Sequence, residues 1–259
     1  MAHQPRKRFG QHFLRDDSVI QRIVQSIGPS QADTLVEIGP GEGVLTAPLA
    51  LRAGQLHAVE LDRDLVSALQ QRFAGASNVT IHAADALSFD FTALGTGLRI
   101  AGNLPYNIST PLLFHLVEQR HAIRDMHFML QKEVVDRMAA APGRKTYGRL
   151  SIMLGCYMDI EHLFDVPPEA FEPPPRVISA VVRLMPRADA DRSIVDPRLL
   201  GNIVNAAFSQ RRKTLRNALR NFATPETLGH LGIDPGDRPE QIAIADWIAL
   251  ANYLASRPN

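Results

Sequence analysis

The chain has 259 residues, of which 45% are hydrophobic and 21% are charged, as in ordinary soluble proteins long enough for one large and one small domain. Its 28 basic and 27 acidic side chains nearly cancel, so net charge alone does not indicate a polyanionic partner. Cys156 is the single cysteine, which excludes an internal disulfide. Without a long apolar run or zinc-type Cys/His spacing, we expect a cytoplasmic protein with neither a membrane nor a metal partner.

The first part of the chain predicts a helix and then a nucleotide-binding type of turn. Apolar residues recur at helical spacing over 18–27, and a short apolar strand follows at 34–38. The loop at 39–43 reads Gly-Pro-Gly-Glu-Gly and leads into helical residues 44–51, as at the start of a doubly wound fold. Val44 replaces the third glycine of a dinucleotide fingerprint, which favours a nucleoside without a pyrophosphate. An ordinary tight turn is the alternative interpretation.

Acidic side chains follow the next two predicted strands. Glu60 comes directly after the strand at 56–59, about 20 residues past the glycine loop, where doubly wound proteins bind ribose hydroxyl groups. Asp85 follows the strand at 79–82, and its carboxylate can accept a hydrogen bond from an adenine amino group. The alternatives are a solvated surface charge for Glu60 and a helix N-cap for Asp85.

The tetrapeptide Asn103-Leu104-Pro105-Tyr106 is the most informative segment. It follows a run at 98–102 that is apolar except for Arg99, which predicts a buried strand. The tetrapeptide therefore lies at the carboxyl end of that strand, where ligands bind in open α/β sheets. The Asn103 side-chain oxygen and the Leu104 carbonyl can together accept both hydrogens of an exocyclic amine. Pro105 stiffens the turn, and Tyr106 offers a flat face to an extruded base. A plain strand-end turn is the alternative, because Asn and Pro are common in turns.

The remaining predicted strands flank a proline-rich loop. Residues 126–130 are predicted as the fifth strand, and 154–164 and 177–184 as a closing antiparallel pair. Between that pair, 166–175 contain five prolines, which predict a stiff, extended loop. Phe171 in this loop is predicted either to cover a target base opposite the tyrosine of the tetrapeptide or to anchor the loop to the core.

A small helical domain is predicted beyond a boundary near residue 186, which gives 1–186 and 187–259 as the two domains. Within it, 205–222 is predicted as one amphipathic helix with arginines at every fourth position on one face, and Trp247 as a core residue of the terminal helix. Basic side chains concentrate here and near the N-terminus, a pattern typical of a polyanion-binding surface, with a solvated face as the alternative. The residues concerned are Arg6, Lys7, Arg8, Arg211, Arg212, Lys213, Arg216 and Arg220.

Several longer segments resemble those of one enzyme family. The order of glycine loop, Glu60, Asp85 and Asn103 is similar to that of class I S-adenosylmethionine (SAM)-dependent methyltransferases, and the segments themselves resemble the rRNA adenine N6-dimethyltransferases. The resembling segments are Lys7-Arg8-Phe9-Gly10-Gln11-His12-Phe13-Leu14, 36–41, 102–109, 131–135, 147–151, 171–177 and 208–217. The segments at 131–135, 147–151 and 208–217 are similar to family members that act on the small ribosomal subunit.

This resemblance implies an α/β fold, with a Rossmann-like, mostly parallel sheet of seven strands and a small C-terminal helical domain. It implies that SAM is the cofactor and that the substrate is N6 of two adjacent adenines near the 3′ end of 16S rRNA, within the 30S subunit or its precursor. It further implies a monomeric enzyme, whose basic residues contact the RNA. The cofactor residues would be His12, Leu14, Gly39, Gly41, Glu60, Asp85 and Asn103, and the catalytic residues Asn103, Leu104, Pro105, Tyr106 and Phe171.

One departure from the family pattern is His12, where relatives often carry Asn. A histidine can still donate a hydrogen bond there, but we expect that contact to be sensitive to pH.

Two other functions share parts of this pattern. One is a 23S rRNA adenine N6-methyltransferase of the antibiotic-resistance type, which has the same catalytic motifs. The other is a non-catalytic RNA-binding assembly or transcription factor on the same fold. The second is disfavoured by the presence of Asn103, Tyr106, Glu60 and Asp85, because RNA binding alone requires none of them.

Overall fold

In the computed structural model, which describes residues 12–105, 107–188 and 193–256, the chain divides into two compact units. The first unit runs to residue 135 and also contains 161–186, and the second contains 136–160 and the chain from 187 onward. A division therefore falls at 186/187, as in the predicted domains. Residues 136–160, which we expected in the first domain, group with the second, because their helix packs on a long helix of that unit.

The described strands form two sheets. They are β1 (Phe13–Leu14), β2 (Thr34–Ile38), β3 (Gln55–Glu60), β4 (Val79–Ala83), β5 (Leu98–Asn103), β6 (Ile123–Gln131), β7 (Met158–Val166), β8 (Phe171–Glu172) and β9 (Ser179–Pro186). Seven of them form the main sheet in the order β4-β3-β2-β5-β6-β9-β7, and β1 pairs with β8 separately. Strands β2 to β6 pair with one another in parallel, and β9 is antiparallel to β6. This confirms the predicted mostly parallel α/β sheet.

Helices connect and cover these strands. They are α1 (Asp17–Ile27), α2 (Thr46–Ala50), α3 (Arg63–Arg72), α4 (Ser109–Glu118), α5 (Lys132–Met138), α6 (Arg149–Gly155), α7 (Pro197–Ser209), α8 (Leu215–Ala218), α9 (Pro225–His230) and α10 (Ile244–Ala255). In α1, Asp16 caps the first turn, apolar residues face the core, and Gly28 ends the helix with a φ of 56°. Trp247 of α10 is fully buried, which confirms the prediction for it. Among the described residues, no helix is both long and apolar enough to cross a membrane.

The strand order reverses between β2 and β5, since the chain adds β3 and β4 on one side of β2 and β5 and β6 on the other. Ligands of doubly wound sheets bind at the carboxyl ends of the strands beside such a reversal. At this place a side chain on Gly102 would put its Cβ 2.4 Å from the Ile38 carbonyl oxygen, so only glycine permits the observed packing. The ends of β2, β3, β4 and β5 therefore meet at one edge.

A buried ion-pair network lies at the opposite, amino edge of the sheet. Arg99 of β5 makes two hydrogen bonds of 2.9 Å to the carboxylate of Asp125 and one of 3.0 Å to Asp33. It also donates to the carbonyl oxygens of Ile27 and Gly28, at the end of α1. Since Arg99 and both carboxylates are buried, the network joins α1 to the amino ends of three strands.

The predicted strand at 154–164 is wrong in its first part. Leu154 belongs to α6, and β7 begins only at residue 158. A short apolar run has no periodicity that separates a buried helix from a strand. The helix is favoured at its start because the Ser151 hydroxyl accepts a hydrogen bond of 3.0 Å from the Gly148 amide.

The predicted continuous helix at 205–222 is also wrong. A turn separates α7 from α8, and Thr214 in it is extended, with φ −69° and ψ 160°. The first two amides of α8 donate to carbonyl oxygens of the loop at 235–237, at 2.8 and 3.0 Å, so a distant loop replaces the preceding helical turn. The predicted arginines consequently do not share one helical face: Arg212 lies in the turn and Arg216 in α8.

Candidate active site

A cavity of about 330 Å³ opens at the edge where β2, β3, β4 and β5 end. Its size is within the usual range for small-molecule sites. The predicted residues that line it are His12, Leu14, Gly39, Gly41, Glu60, Asp85, Asn103, Leu104 and Pro105. The fold therefore gathers all the predicted cofactor residues into one cavity. In the described part of the chain, no cluster of His, Cys, Asp or Glu is suited to a metal ion.

The glycine loop at 39–43 forms one wall, and Glu60 holds it in place. Its three glycines have φ values of 66°, 58° and 79°, and at Gly41 a Cβ would also lie 3.2 Å from the ring of Phe13. The Glu60 carboxylate accepts hydrogen bonds from the amides of Gly41, at 3.2 Å, and Asp62, at 2.9 Å. Glu60 is 8% exposed, so it is not the solvated surface charge of the alternative interpretation.

Asp85 lies past the end of β4 and is half-buried. Its Oδ1 accepts a hydrogen bond of 2.9 Å from the Leu87 amide, as in the capping alternative, although residues 86–88 form a turn and not a helix. The same residue lines the cavity. Leu61, which also lines it, is 53% exposed and provides an apolar surface for a flat ligand ring.

The segment that contains β1 lies over the cavity. His12 and Leu14 line it, and β1 is held by its pairing with β8. Arg15 lies 2.6 Å from a carboxylate oxygen of Glu42, in the glycine loop, and 3.3 Å from Glu172, in β8. His12 and Leu14, both predicted cofactor residues, therefore lie at the cavity.

The backbone of this segment orients Asn103. The Nδ2 of Asn103 donates a hydrogen bond of 3.1 Å to the carbonyl oxygen of His12. The Oδ1 is then the side-chain atom left to accept from a ligand amine. The Leu104 amide donates to the Met129 carbonyl oxygen at 3.1 Å, which extends the β5–β6 pairing by one residue and fixes the position of the Leu104 carbonyl.

The imidazole ring of His12 contacts a different residue from the one that its backbone carbonyl contacts. Its Nδ1 lies 2.7 Å from the carbonyl oxygen of Pro173, in the proline-rich loop. Because the His12 carbonyl oxygen, not its side chain, contacts Asn103, the change from the frequent Asn leaves the orientation of Asn103 unaffected.

The two aromatic residues predicted to hold a base have different outcomes. Tyr106 lies outside the described residues. Phe171 is 4% exposed, packs in the hydrophobic core and does not line the cavity. These contacts support the interpretation of Phe171 as an anchor for the loop, and its contact with a base stays a prediction.

Glu37 of β2 also lines the cavity, although it is not among the predicted site residues. It is 1% exposed, and its Oε2 has no hydrogen-bond partner among the described residues. Burial, together with the negative charge of Glu60, raises the pKa of Glu37 to about 7. The sequence feature that could have identified Glu37 is an acidic residue within an apolar predicted strand, two positions before Gly39. A buried carboxylate with a free oxygen favours a cationic or hydrogen-bond-donating ligand, which fits SAM.

The basic residues of the second unit are exposed. Arg211 donates a hydrogen bond of 2.7 Å to the carbonyl oxygen of Lys145. This contact places exposed Arg144 and Lys145 beside the predicted cluster, and the sequence missed them because they lie far from it along the chain. The exposed predicted residues are Arg211, Arg212, Lys213, Arg216 and Arg220, whereas Arg6, Lys7 and Arg8 lie outside the described residues.

Known proteins resemble this chain over nearly its whole length. The family model described as Ribosomal RNA adenine dimethylase matches residues 2–256. A protein of Thiobacillus denitrificans, named Ribosomal RNA small subunit methyltransferase A, is 58% identical over 255 residues, 98% of this chain and 100% of that protein. The crystal structure of a dimethyladenosine transferase from Plasmodium falciparum has a TM-score of 0.82 and 25% identity, covering 92% of this chain and 96% of that one. That of the 23S rRNA methyltransferase ErmE has a TM-score of 0.74 and 26% identity, covering 94% and 100%.

Proposed function

The chain belongs to the ribosomal RNA adenine dimethylase family, and we propose that it methylates N6 of two adjacent adenines in a hairpin near the 3′ end of 16S rRNA. It is a SAM-dependent rRNA methyltransferase of the small ribosomal subunit. The 58% identical relative, which is named for that subunit, supports the substrate. Assembling or complete 30S particles are the proposed form in which the RNA is presented.

The proposal depends most directly on Asn103. With its Nδ2 bound to the His12 carbonyl oxygen, its Oδ1 accepts one hydrogen of the adenine amine, and the Leu104 carbonyl accepts the other. These two acceptors favour a pyramidal nitrogen with its lone pair available. SAM supplies a methyl group on a positively charged sulfur. The protein contributes position and electrostatic stabilisation, and it needs no strong base because the nitrogen becomes acidic as it attacks.

The other cavity residues would hold the cofactor. Glu60 is suited to the ribose hydroxyls and Asp85 to the adenine amino group, while the glycine loop permits close approach of the backbone. His12 and Leu14 would close the cavity over the ligand.

Methyl transfer from labelled SAM, measured in parallel on undermethylated 30S particles and on 23S rRNA, tests the substrate. We expect transfer to the 30S particles. Transfer to 23S rRNA alone would instead support a 23S rRNA methyltransferase. That candidate has weaker support, because the similarity to ErmE is 26% identity and that to the small-subunit relative is 58%. RNA binding without transfer to either substrate would indicate a non-catalytic assembly or transcription factor.

We also propose that the enzyme is a monomer and that it needs no metal ion for activity. We propose further that it acts in the cytoplasm, where bacterial ribosomal subunits are assembled. Light scattering at assay concentration tests the monomeric state, and activity in the presence of a chelator tests the independence from metal. A dimer, or loss of turnover with chelator, would contradict them.

The Glu60→Ala variant should bind both SAM and S-adenosylhomocysteine more weakly, because the carboxylate that holds Gly41 and the ribose is lost. The expected loss is about 1.5–3 kcal/mol for each ligand, the scale of hydrogen bonds to a charged group. Isothermal titration calorimetry measures it. Glu118→Ala, which removes an exposed carboxylate of α4, is the control and should bind both normally. Equal affinities of Glu60→Ala and the wild type would show that Glu60 does not contact the ligand.

Changing Arg212, Arg216 and Arg220 together to Gln should weaken RNA binding while SAM affinity is retained. All three side chains are exposed, and glutamine keeps a helix propensity close to that of arginine. Each lost phosphate contact should reduce the slope of log affinity against log salt by roughly 0.7–0.9. A double Arg52→Gln, Arg63→Gln variant, which removes exposed charge elsewhere, is the control. An unchanged salt slope in the triple variant would leave Arg6, Lys7 and Arg8 to contact the RNA.

A further inference from the structure

We propose that Glu37 distinguishes the methyl donor from its demethylated product by charge: the carboxylate is ionised beside SAM and takes up a proton when S-adenosylhomocysteine occupies the cavity. This inference rests on the proposed function, because it requires that the cavity binds this pair of ligands. It concerns which ligand is preferred at a given pH, and so goes beyond the identity of the cofactor.

The position of Glu37 suits this role. It lies one strand away from the amine-binding residues, since Glu37 pairs with Ala101, two residues before Asn103 in β5. On its other side it pairs with Ala58 of β3. Alanine side chains offer no polar group, and the Glu37 Oε2 is buried without a hydrogen-bond partner among the described residues. The Thr46 hydroxyl of α2 acts to lower the pKa of Glu37 but is uncharged. The carboxylate is thus part of the cavity, and its neighbours on the sheet do not neutralise it.

Two other acids at the cavity have partners that stabilise their charge. Glu60 accepts two backbone hydrogen bonds, and Glu42 lies 2.6 Å from Arg15. Among the described residues, no salt bridge involves Glu37. The remaining titratable residues that line the cavity are Asp62, Asp85 and His12. The described residues of the lining include four other acids and neither lysine nor arginine, so they favour a cationic ligand and disfavour a second negative charge next to Glu60.

SAM and S-adenosylhomocysteine differ in the charge on their sulfur atom. Methyl transfer breaks the bond from sulfur to the methyl carbon and leaves its electron pair on sulfur, while the amine lone pair forms the new nitrogen–carbon bond. The amine then releases one proton to solvent. The donor therefore has a positively charged sulfur, and the product has a neutral thioether. A nearby positive charge favours the carboxylate, and its loss favours the protonated acid.

The direction of the pH effect follows from the free protein. Burial, with the charge of Glu60, raises the pKa of Glu37 to about 7, so below that pH the empty cavity mostly contains the neutral acid. Binding of SAM must then release a proton, which weakens binding at low pH. SAM affinity should rise as pH increases through 7 and level off above it, and S-adenosylhomocysteine affinity should change less.

Calorimetry of the full-length protein tests this with SAM and S-adenosylhomocysteine as the probes. Affinities are measured from about pH 5.5 to 8, in two buffers of different ionisation enthalpy, so that the protons released on binding can be counted. In the wild type we expect SAM to release more protons than S-adenosylhomocysteine near pH 7. If the pKa of Glu37 differs by about one unit between the two complexes, the preference for SAM should rise about tenfold over this range.

The Glu37→Gln variant keeps the shape and removes the titration, so its preference for SAM should not depend on pH. Subtracting the proton release of Glu37→Gln from that of the wild type also removes the contribution of the ligands and of other titrating groups. Glu118→Gln, at an exposed site, should behave as the wild type. Equal proton release for both ligands in the wild type would overturn the inference, as would an unchanged pH dependence in Glu37→Gln. If that variant does not fold, the wild-type proton counts alone decide. Failure of both ligands to bind at any pH would overturn the cofactor assignment itself.

Discussion

The Asn103→Ala variant is expected to lose roughly 10²–10³ in turnover, the effect of removing one preorganised polar contact from a transition state. The substitution removes the acceptor that the His12 carbonyl oxygen holds in place, while the glycine loop and Glu60 remain. RNA affinity should change little, because the exposed basic residues of the second unit are unaltered. Single-turnover methylation of undermethylated 30S particles measures the rate, and calorimetry measures the affinity.

Two further measurements separate this loss from structural damage. Asn103→Ala also removes one hydrogen bond within the protein, which should lower stability by only about 1 kcal/mol. A normal thermal transition and normal RNA binding would show that the fold and the substrate surface are intact. Near-normal turnover in this variant would contradict the role of Asn103 in holding the amine.

The strand ends at the cavity were predictable because their signal is local. The strand predicted at 34–38 is β2, with the same bounds, and the run at 98–102 is β5 extended by one residue to Asn103. In each case a buried apolar run stops at a glycine or a polar residue, and the carboxyl edge of a parallel sheet brings such residues together. That rule accounts for the meeting of Glu60, Asp85 and Asn103 at the cavity.

The features that the sequence missed depend on contacts between distant segments. The break between α7 and α8 follows from backbone hydrogen bonds to the loop at 235–237, and no local pattern marks it. Arg144 and Lys145 join the basic cluster only through the contact with Arg211. The anchoring of Phe171 depends in the same way on its pairing with Leu14, far away in the chain.

The interior position of Arg99 was visible in the sequence, but its partners were not. The Arg99→Met variant should lower the free energy of unfolding by about 3–5 kcal/mol, because two buried carboxylates, Asp33 and Asp125, lose their shared cation. Methionine fills most of the volume, so the loss reports on charge more than on packing. Urea denaturation of both proteins at neutral pH measures the difference.

Arg124→Met is the matched control, since Arg124 also contacts Asp33, at 3.1 Å, but its side chain is 61% exposed. Its loss should stay below about 1 kcal/mol. The pH dependence gives a second test. Burial acts against ionisation of Asp33, yet hydrogen bonds from Ser30 and Arg99 hold its pKa below the ordinary value. That stabilisation is present at neutral pH and is lost as pH falls through the lowered pKa, so the gap between Arg99→Met and wild type should narrow in acid. A gap independent of pH would mean that the variant loses packing instead of an ion pair.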